Sequence, residues 1–419
     1  MKYLFRKEPQ DIPYLVIWIV AVIFMAIPVL GYKVSIPGGI SLRILLLCAI
    51  VFIGCTIRLA NRSVFSSRQR LAQWIVAFFL AWLSIMYLRS GEYVIWYTHY
   101  TMQYNFPSFY PMLLLLVPVV PLMRTFFRTQ AWLCYLGIVL LLLSSLWSRD
   151  YGMLQFIFEG FVLGAGLIVM TQRYHSKDLN IAAYICLVLG FLFATVYARR
   201  NLMITSALYL GVAFYELLFS DFIKSKATRM LLIISAVMVI LGGVVFFIIN
   251  SNGVFSKISE RASSNTREYV VFHFVADFST APTDLIWGRG MEGTYACGGV
   301  AGEELEDDQR SVIECGYLQN ILKGGIIYLL LYLSLFGCAM WYGFRSRNRL
   351  LQACAWILLI HTIEMIGFGL HTFNVKAFML WMAVALCLQQ DLKEKNDEEI
   401  KELIYEPKFE FPKWQVSNT

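Results

Sequence analysis

Charge is scarce in this chain. Asp, Glu, Lys and Arg together make up 15% of its 419 residues. That is too little for the surface of an ordinary soluble enzyme, and the wealth of apolar side chains excludes a disordered chain. No Gly/Ser-rich or Pro-rich linker divides the sequence, and no internal repeat stands out. The nine cysteines contain no CxxC metal pattern. Most of them lie in apolar runs, where a thiol packs as a small apolar group. A secreted disulfide scaffold is excluded by composition.

What remains is apolar. Hydrophobic residues make up 58% of the chain, and mean hydropathy is +0.62. A membrane helix takes about 20 apolar residues. Twelve apolar segments can be read, near 13–31, 41–60, 72–88, 109–127, 131–147, 153–171, 180–197, 202–219, 229–249, 317–343, 350–370 and 374–390. The sequence therefore predicts an all-α polytopic membrane protein with about twelve transmembrane helices. It divides into spans one to nine (1–249), a large external loop (250–316), spans ten to twelve (317–390) and a tail (391–419). The tail reads as a solvated helix without chemistry. The first apolar run is too long for a signal peptide, and no small-residue cleavage site follows it.

Lys and Arg gather in alternate connections: Lys2, Arg6 and Lys7; Arg62, Arg68 and Arg70; a turn near Arg124 and Arg128; Arg173 and Lys177; Lys224, Lys226 and Arg229; Arg345, Arg347 and Arg349. The positive-inside rule then places both termini in the cytoplasm. The net charge of +7 follows from this distribution and needs no nucleic acid.

Ionisable residues inside spans are costly and mark function by default. Glu159 lies in the sixth span and Lys323 in the tenth. His361, Glu364 and His371 share one face of the eleventh, and Lys376 starts the twelfth. Snorkelling to headgroups accounts for Lys376 and His371 but poorly for Glu159 and Glu364. Together they predict a polar cavity open to the outside, with Glu159, His361 and Glu364 as substrate contacts. A transporter would hold such groups at the midplane, often beside broken helices.

The external loop carries Thr266-Arg267-Glu268 and then an apolar-periodic stretch, Val270, Val271, Phe274, Val275 and Phe278. This predicts an amphipathic helix along the membrane surface. Trp287-Gly288-Arg289-Gly290 follows, then an acidic run from Glu303 to Asp308, then Glu314-Cys315-Gly316-Tyr317. The acidic run reads as a solvated loop, since it lacks the calcium-loop spacing of an EF-hand.

In this order and spacing the chain resembles the O-antigen polymerase and O-antigen ligase superfamily of bacterial envelope enzymes. The motifs are Arg199-Arg200-Asn201-Leu202-Met203, Thr266-Arg267-Glu268, Gly288-Arg289-Gly290, and a polar residue opening a helix with glycine eleven positions on, Glu314 to Gly325. The resemblance implies a GT-C-like, all-helical glycosyltransferase in the bacterial inner membrane, without metal, cofactor or nucleotide sugar. Its substrates would be oligosaccharides on undecaprenyl pyrophosphate. Its partners would be membrane lipids and the flippase and chain-length regulator of the same pathway. Ligases of the family carry His followed by Asn, Ser or Gln where this chain has Glu314-Cys315, so the departure favours a polymerase.

Breaking a sugar–pyrophosphate bond builds negative charge on the diphosphate. Without a metal, Arg is the natural clamp, because its planar fork binds phosphate bidentately. Arg199, Arg200 and Arg267 are the candidates. Neighbours on a helix point about 100° apart, so only one of Arg199 and Arg200 need face the site. Arg267 would otherwise contact anionic lipid. Glu314 is the candidate base for the acceptor hydroxyl, with a capping charge at a helix start as the alternative. Tyr317 shares its face, and Gly325 would let another helix come close. Arg289 would contact either phosphate or the acidic run. The stretch from Trp96 to Tyr110 would stack on sugars or form an interfacial aromatic belt. A disulfide between Cys297 and Cys315 would close a loop of about 17 residues, for roughly 3 kcal/mol; two free thiols are the alternative.

Overall fold

The computed structural model describes residues 12–34, 38–60, 70–89, 110–144, 157–197, 199–218, 225, 230, 266–291, 293–297, 309–367 and 374–405. They form a helical bundle. Its helices are α1 (Ile12–Val34), α2 (Gly38–Ala60), α3 (Arg70–Arg89), α4 (Val119–Ser144), α5 (Leu163–Met170), α6 (Lys177–Val196) and α7 (Arg200–Leu218). After these come α8 (Thr266–Thr280), α9 (Pro282–Trp287), α10 (Gly316–Phe344), α11 (Arg349–Glu364), α12 (Val375–Cys387), α13 (Gln390–Lys393) and α14 (Asp397–Tyr405). A two-residue hairpin, β1 (Tyr295–Ala296) paired antiparallel with β2 (Gln309–Arg310), lies between α9 and α10.

Four described helices are long and apolar enough to cross a membrane, within 119–143, 177–196, 201–218 and 316–344. Shorter apolar helices surround them, at 12–23, 47–59, 73–86, 158–170 and 375–387. The first three predicted spans and the sixth, seventh, eighth, tenth, eleventh and twelfth each coincide with a helix. The ninth predicted span, the acidic run, His371 and most of the Trp96–Tyr110 stretch lie outside the described residues.

The fourth and fifth predicted spans need correction. The expected turn near Arg124 and Arg128 is the inside of α4. The chain instead breaks between a 3-10 segment, Tyr110–Leu116, and Val119. Proline explains the shift. Pro118 stands at the break and Pro121 in the first turn of α4, where its missing N–H costs nothing. The two arginines are tolerated because α14 covers this part of α4, and Arg124 Nη2 donates to Leu403 O at 3.1 Å.

The tail is not a solvated helix either. Ile400 and Ile404 of α14 are buried. Asp397 at its start accepts from Tyr174 Oη at 2.5 Å and from Arg349 N at 2.8 Å, and pairs with Arg173 at 3.7 Å. Leu350 N donates to Tyr174 Oη at 3.2 Å and Leu351 N to Asn348 Oδ1 at 3.0 Å. The first N–H groups of α11, which have no partner within the helix, are thus capped from three segments. His175 completes the contact: its Nδ1 lies 2.9 Å from Tyr405 Oη, and its ring meets Phe127 edge-on.

At the opposite end of the bundle α8 covers the start of α10. Val270, Phe274 and Phe278, four residues apart, pack with Tyr295, Cys297, Ile313 and Leu322 into a small separate core. A protein core thus takes part of the predicted stripe, while Val275 of the same stripe is 56% exposed.

Candidate functional site

The helix α10 is broken at Gly325, whose φ of 71° and ψ of −178° leave the helical region. A break frees carbonyls, and the Gly288-Arg289-Gly290 motif supplies donors for them. Arg289 N donates to Leu322 O at 2.8 Å and Gly290 N to Lys323 O at 2.9 Å. Trp82 Nε1 of α3 reaches Gly324 O at 2.8 Å. Gly288 and Gly290 adopt φ of 70° and 81°, values that only glycine takes freely. A Cβ on Gly288 would stand 2.5 Å from Gly325 N. The partner that Gly325 admits is therefore the end of α9.

Arg289 is engaged inside this motif. Its Nη1 lies 2.5 Å from Asp277 Oδ2 and its Nε 2.8 Å from Asp284 Oδ2, while its guanidinium sits 4.5 Å above the Phe278 ring. Among the described residues its ion-pair partners are thus two carboxylates of α8 and α9, and the acidic run lies outside them. Lys323 is buried as well, with Nζ donating to Gly293 O at 3.1 Å.

Glu314 precedes the N-cap residue Cys315 and is exposed. It does not sit in the first helical turn as a partly buried base would. Its neighbourhood is polar: Glu314 and Arg310 both act electrostatically on Tyr295, whose phenol burial pushes upward. The end of α10 that follows is tied to the end of α11. Gly316 N donates to Met365 O at 2.8 Å, and Tyr317 Oη to Thr362 O at 2.7 Å.

One turn from that tie lies the buried polar cluster. Glu364 accepts from Lys376 Nζ at 2.8 Å and from Thr205 Oγ1 of α7. His361 Nδ1 stands 3.9 Å from the same carboxylate, and its Nε2 is 2.8 Å from Tyr332 Oη. Glu159, in a π-helical turn (Phe158–Val162) leading into α5, accepts from Asn374 Nδ2 at 2.5 Å. Asn374 also caps α12, accepting from Ala377 N at 2.8 Å. Glu159, His361 and Glu364 are therefore paired side chains no more than 7% exposed. Lys376, expected to snorkel, turns inward instead, because an uncompensated Glu364 would be far more costly in this interior than a bent lysine.

Arg199 introduces α7 and is half-buried, its carbonyl accepting from Met203 N at 3.0 Å. Thr205 is six residues farther, about 9 Å along the axis. Arg200 is the first residue of α7 and Arg267 lies in the first turn of α8. The helix start at Arg199 and the start of α10 beside Glu314 thus both lead to the Glu364 cluster, while Arg267 begins the helix that covers α10.

Thr205, Tyr332 and Asn374 were not singled out in the sequence. Thr and Tyr carry no charge to mark them in a span. Asn374 did carry a signal, an Asn before an apolar run, which is the mark of a helix N-cap. Cys297 and Cys315 are free thiols, so no disulfide joins them. Cys297 is fully buried among Phe274, Tyr295 and Ile313, where it packs as an apolar group, and Cys315 borders the same core. No family model, no curated protein and no solved structure matches this chain.

Proposed function

We propose that this chain is a metal-independent glycosyltransferase of the bacterial inner membrane. It joins undecaprenyl-pyrophosphate-linked repeat units into a surface polysaccharide on the outer face. The observation that carries this reading is a convergence. The helix starts bearing Arg199 and Glu314 both lead to the buried polar cluster Thr205–Glu364–Lys376. With Arg289 bound to Asp277 and Asp284, the diphosphate clamp falls to Arg199, Arg200 and Arg267. Glu314 takes the proton of the acceptor hydroxyl as it attacks the anomeric carbon. The buried cluster fixes α7, α11 and α12 around the site, so the residues proposed as substrate contacts, Glu159, His361 and Glu364, serve as its frame, with Tyr317 at the rim.

Two rivals remain in play. A ligase would pass one finished glycan to a different acceptor. A flippase or transporter is favoured by one observation, the broken helix at Gly325, since discontinuous helices are common in transporters. Incubating the purified chain with a lipid-linked repeat unit separates the three. A ladder of products supports polymerase, a single addition to another acceptor supports ligase, and an unchanged substrate that crosses the bilayer supports transport.

A further inference from the structure

From the break at Gly325 to Phe344, α10 has about 20 residues with no charged side chain, or about 30 Å, the thickness of a hydrocarbon core. The part before the break carries Gln319, Asn320 and Lys323. The apolar slab therefore begins at Gly325, where the end of α9 is docked. On α9, Leu285, Ile286 and Trp287 are 41%, 45% and 46% exposed. This face continues that of the adjoining helices. Trp287 stacks on Trp82 of α3 with ring centroids 5.4 Å apart, Leu88 and Ile85 of α3 are exposed nearby along that helix, and Ile326 and Leu330 of α10 are exposed just past the break.

We infer that α9 is a membrane-seated wedge: Leu285, Ile286 and Trp287 contact the acyl chains of the leaflet on this side, at the mouth of the α3–α10 seam. Lipid demands that polar groups be satisfied within the protein, and the C-terminal end of α9 is tied in this way. The one charged side chain of α9, Asp284, is turned to Arg289. The carbonyls at its C-terminal end, Trp287 O and Gly288 O, accept from Arg89 at 2.7 and 3.1 Å. Gly288 N donates to Asp284 O at 2.7 Å. A segment built for water has no need of an arginine from another helix to cap it. Two tryptophans stacked where the apolar slab ends fit the interfacial preference of that residue.

The test uses the native chain in nanodiscs of phosphatidylcholine, a fraction of it bearing a photoactivatable diazirine on the acyl chain. After illumination, lipid adducts are mapped by mass spectrometry. Leu285–Trp287 should carry adducts at a yield matching that of Leu330 and Leu88, and the buried Phe274 and Phe278 should carry none. Adducts on Leu330 and Leu88 with none on Leu285–Trp287 would overturn the inference. So would adducts on Leu285–Trp287 at no higher yield than on Phe274 and Phe278.

Discussion

Gly288 and Gly325 meet backbone to backbone, each at a positive φ, and neither has room for a side chain. The contact joins the connection after α9 to the broken helix α10. It also explains why two glycine motifs, with Gly288 and Gly325 37 residues apart, belong to one device. Gly325→Ala should cost about 1–2 kcal/mol from the left-handed backbone alone, with the collision against Ile286 added. The expected outcome is a lower melting temperature in detergent and new proteolysis near Trp287. An unchanged melting temperature would mean that the two segments are not clamped.

The Glu364–Lys376 pair is buried, so removing one partner leaves the other uncompensated. Lys376→Met should destabilise the protein by about 3–5 kcal/mol. The double variant Lys376→Met with Glu364→Gln should recover most of that loss, because no charge is stranded. Equal instability of the double variant would argue that Lys376 acts mainly through packing.

Asp397 caps α11 from the tail, and Asp397→Ala should release α14. Losing a carboxylate cap costs about 1–2 kcal/mol, read as faster proteolytic removal of the tail after Lys395. Retained protection would show that Ile400 and Ile404 hold the helix without it.

Tail docking should also depend on pH. Burial lowers the pKa of His175 to about 3 from an ordinary 6.5. Facing it are Tyr405, Thr171 and Phe127, none of them acidic. The docked state therefore binds fewer protons than the released one. Docking is full above pH 6.5 and weakens as pH falls toward 3, by at most about 1.4 kcal/mol per unit. The hydrogen-exchange protection factor of α14, with the intrinsic slowing of amide exchange at lower pH divided out, should fall between pH 6.5 and 5 and should not do so in His175→Phe. A pH-independent protection factor in the native chain would contradict this.

Much of the helical layout was legible because apolar runs of membrane length leave little choice of secondary structure. Glu159, His361 and Glu364 drew notice too, since charge inside an apolar run is rare, and all three are buried. Their pairing was not legible, because Thr205 and Asn374 come from other helices and sequence spacing carries no information about them. The boundary before α4 was missed by weighting Arg124 and Arg128 over Pro118 and Pro121. The role of Arg289 was hidden for a related reason: Asp277 and Asp284 look like surface charge until α8 and α9 fold around them.

The central claim is that this chain lengthens a lipid-linked glycan, and the most direct measurement is turnover. Purified protein in bilayers is supplied with an undecaprenyl-pyrophosphate repeat unit, and products are resolved by size. The native chain is expected to give a ladder, Arg267→Ala none at equal protein level, and Arg267→Lys little, since one ammonium does not replace the guanidinium fork. Glu314→Gln should also lose the ladder. A native chain that leaves the repeat unit at its starting size, or an Arg267→Ala chain with normal product length and yield, would contradict the claim.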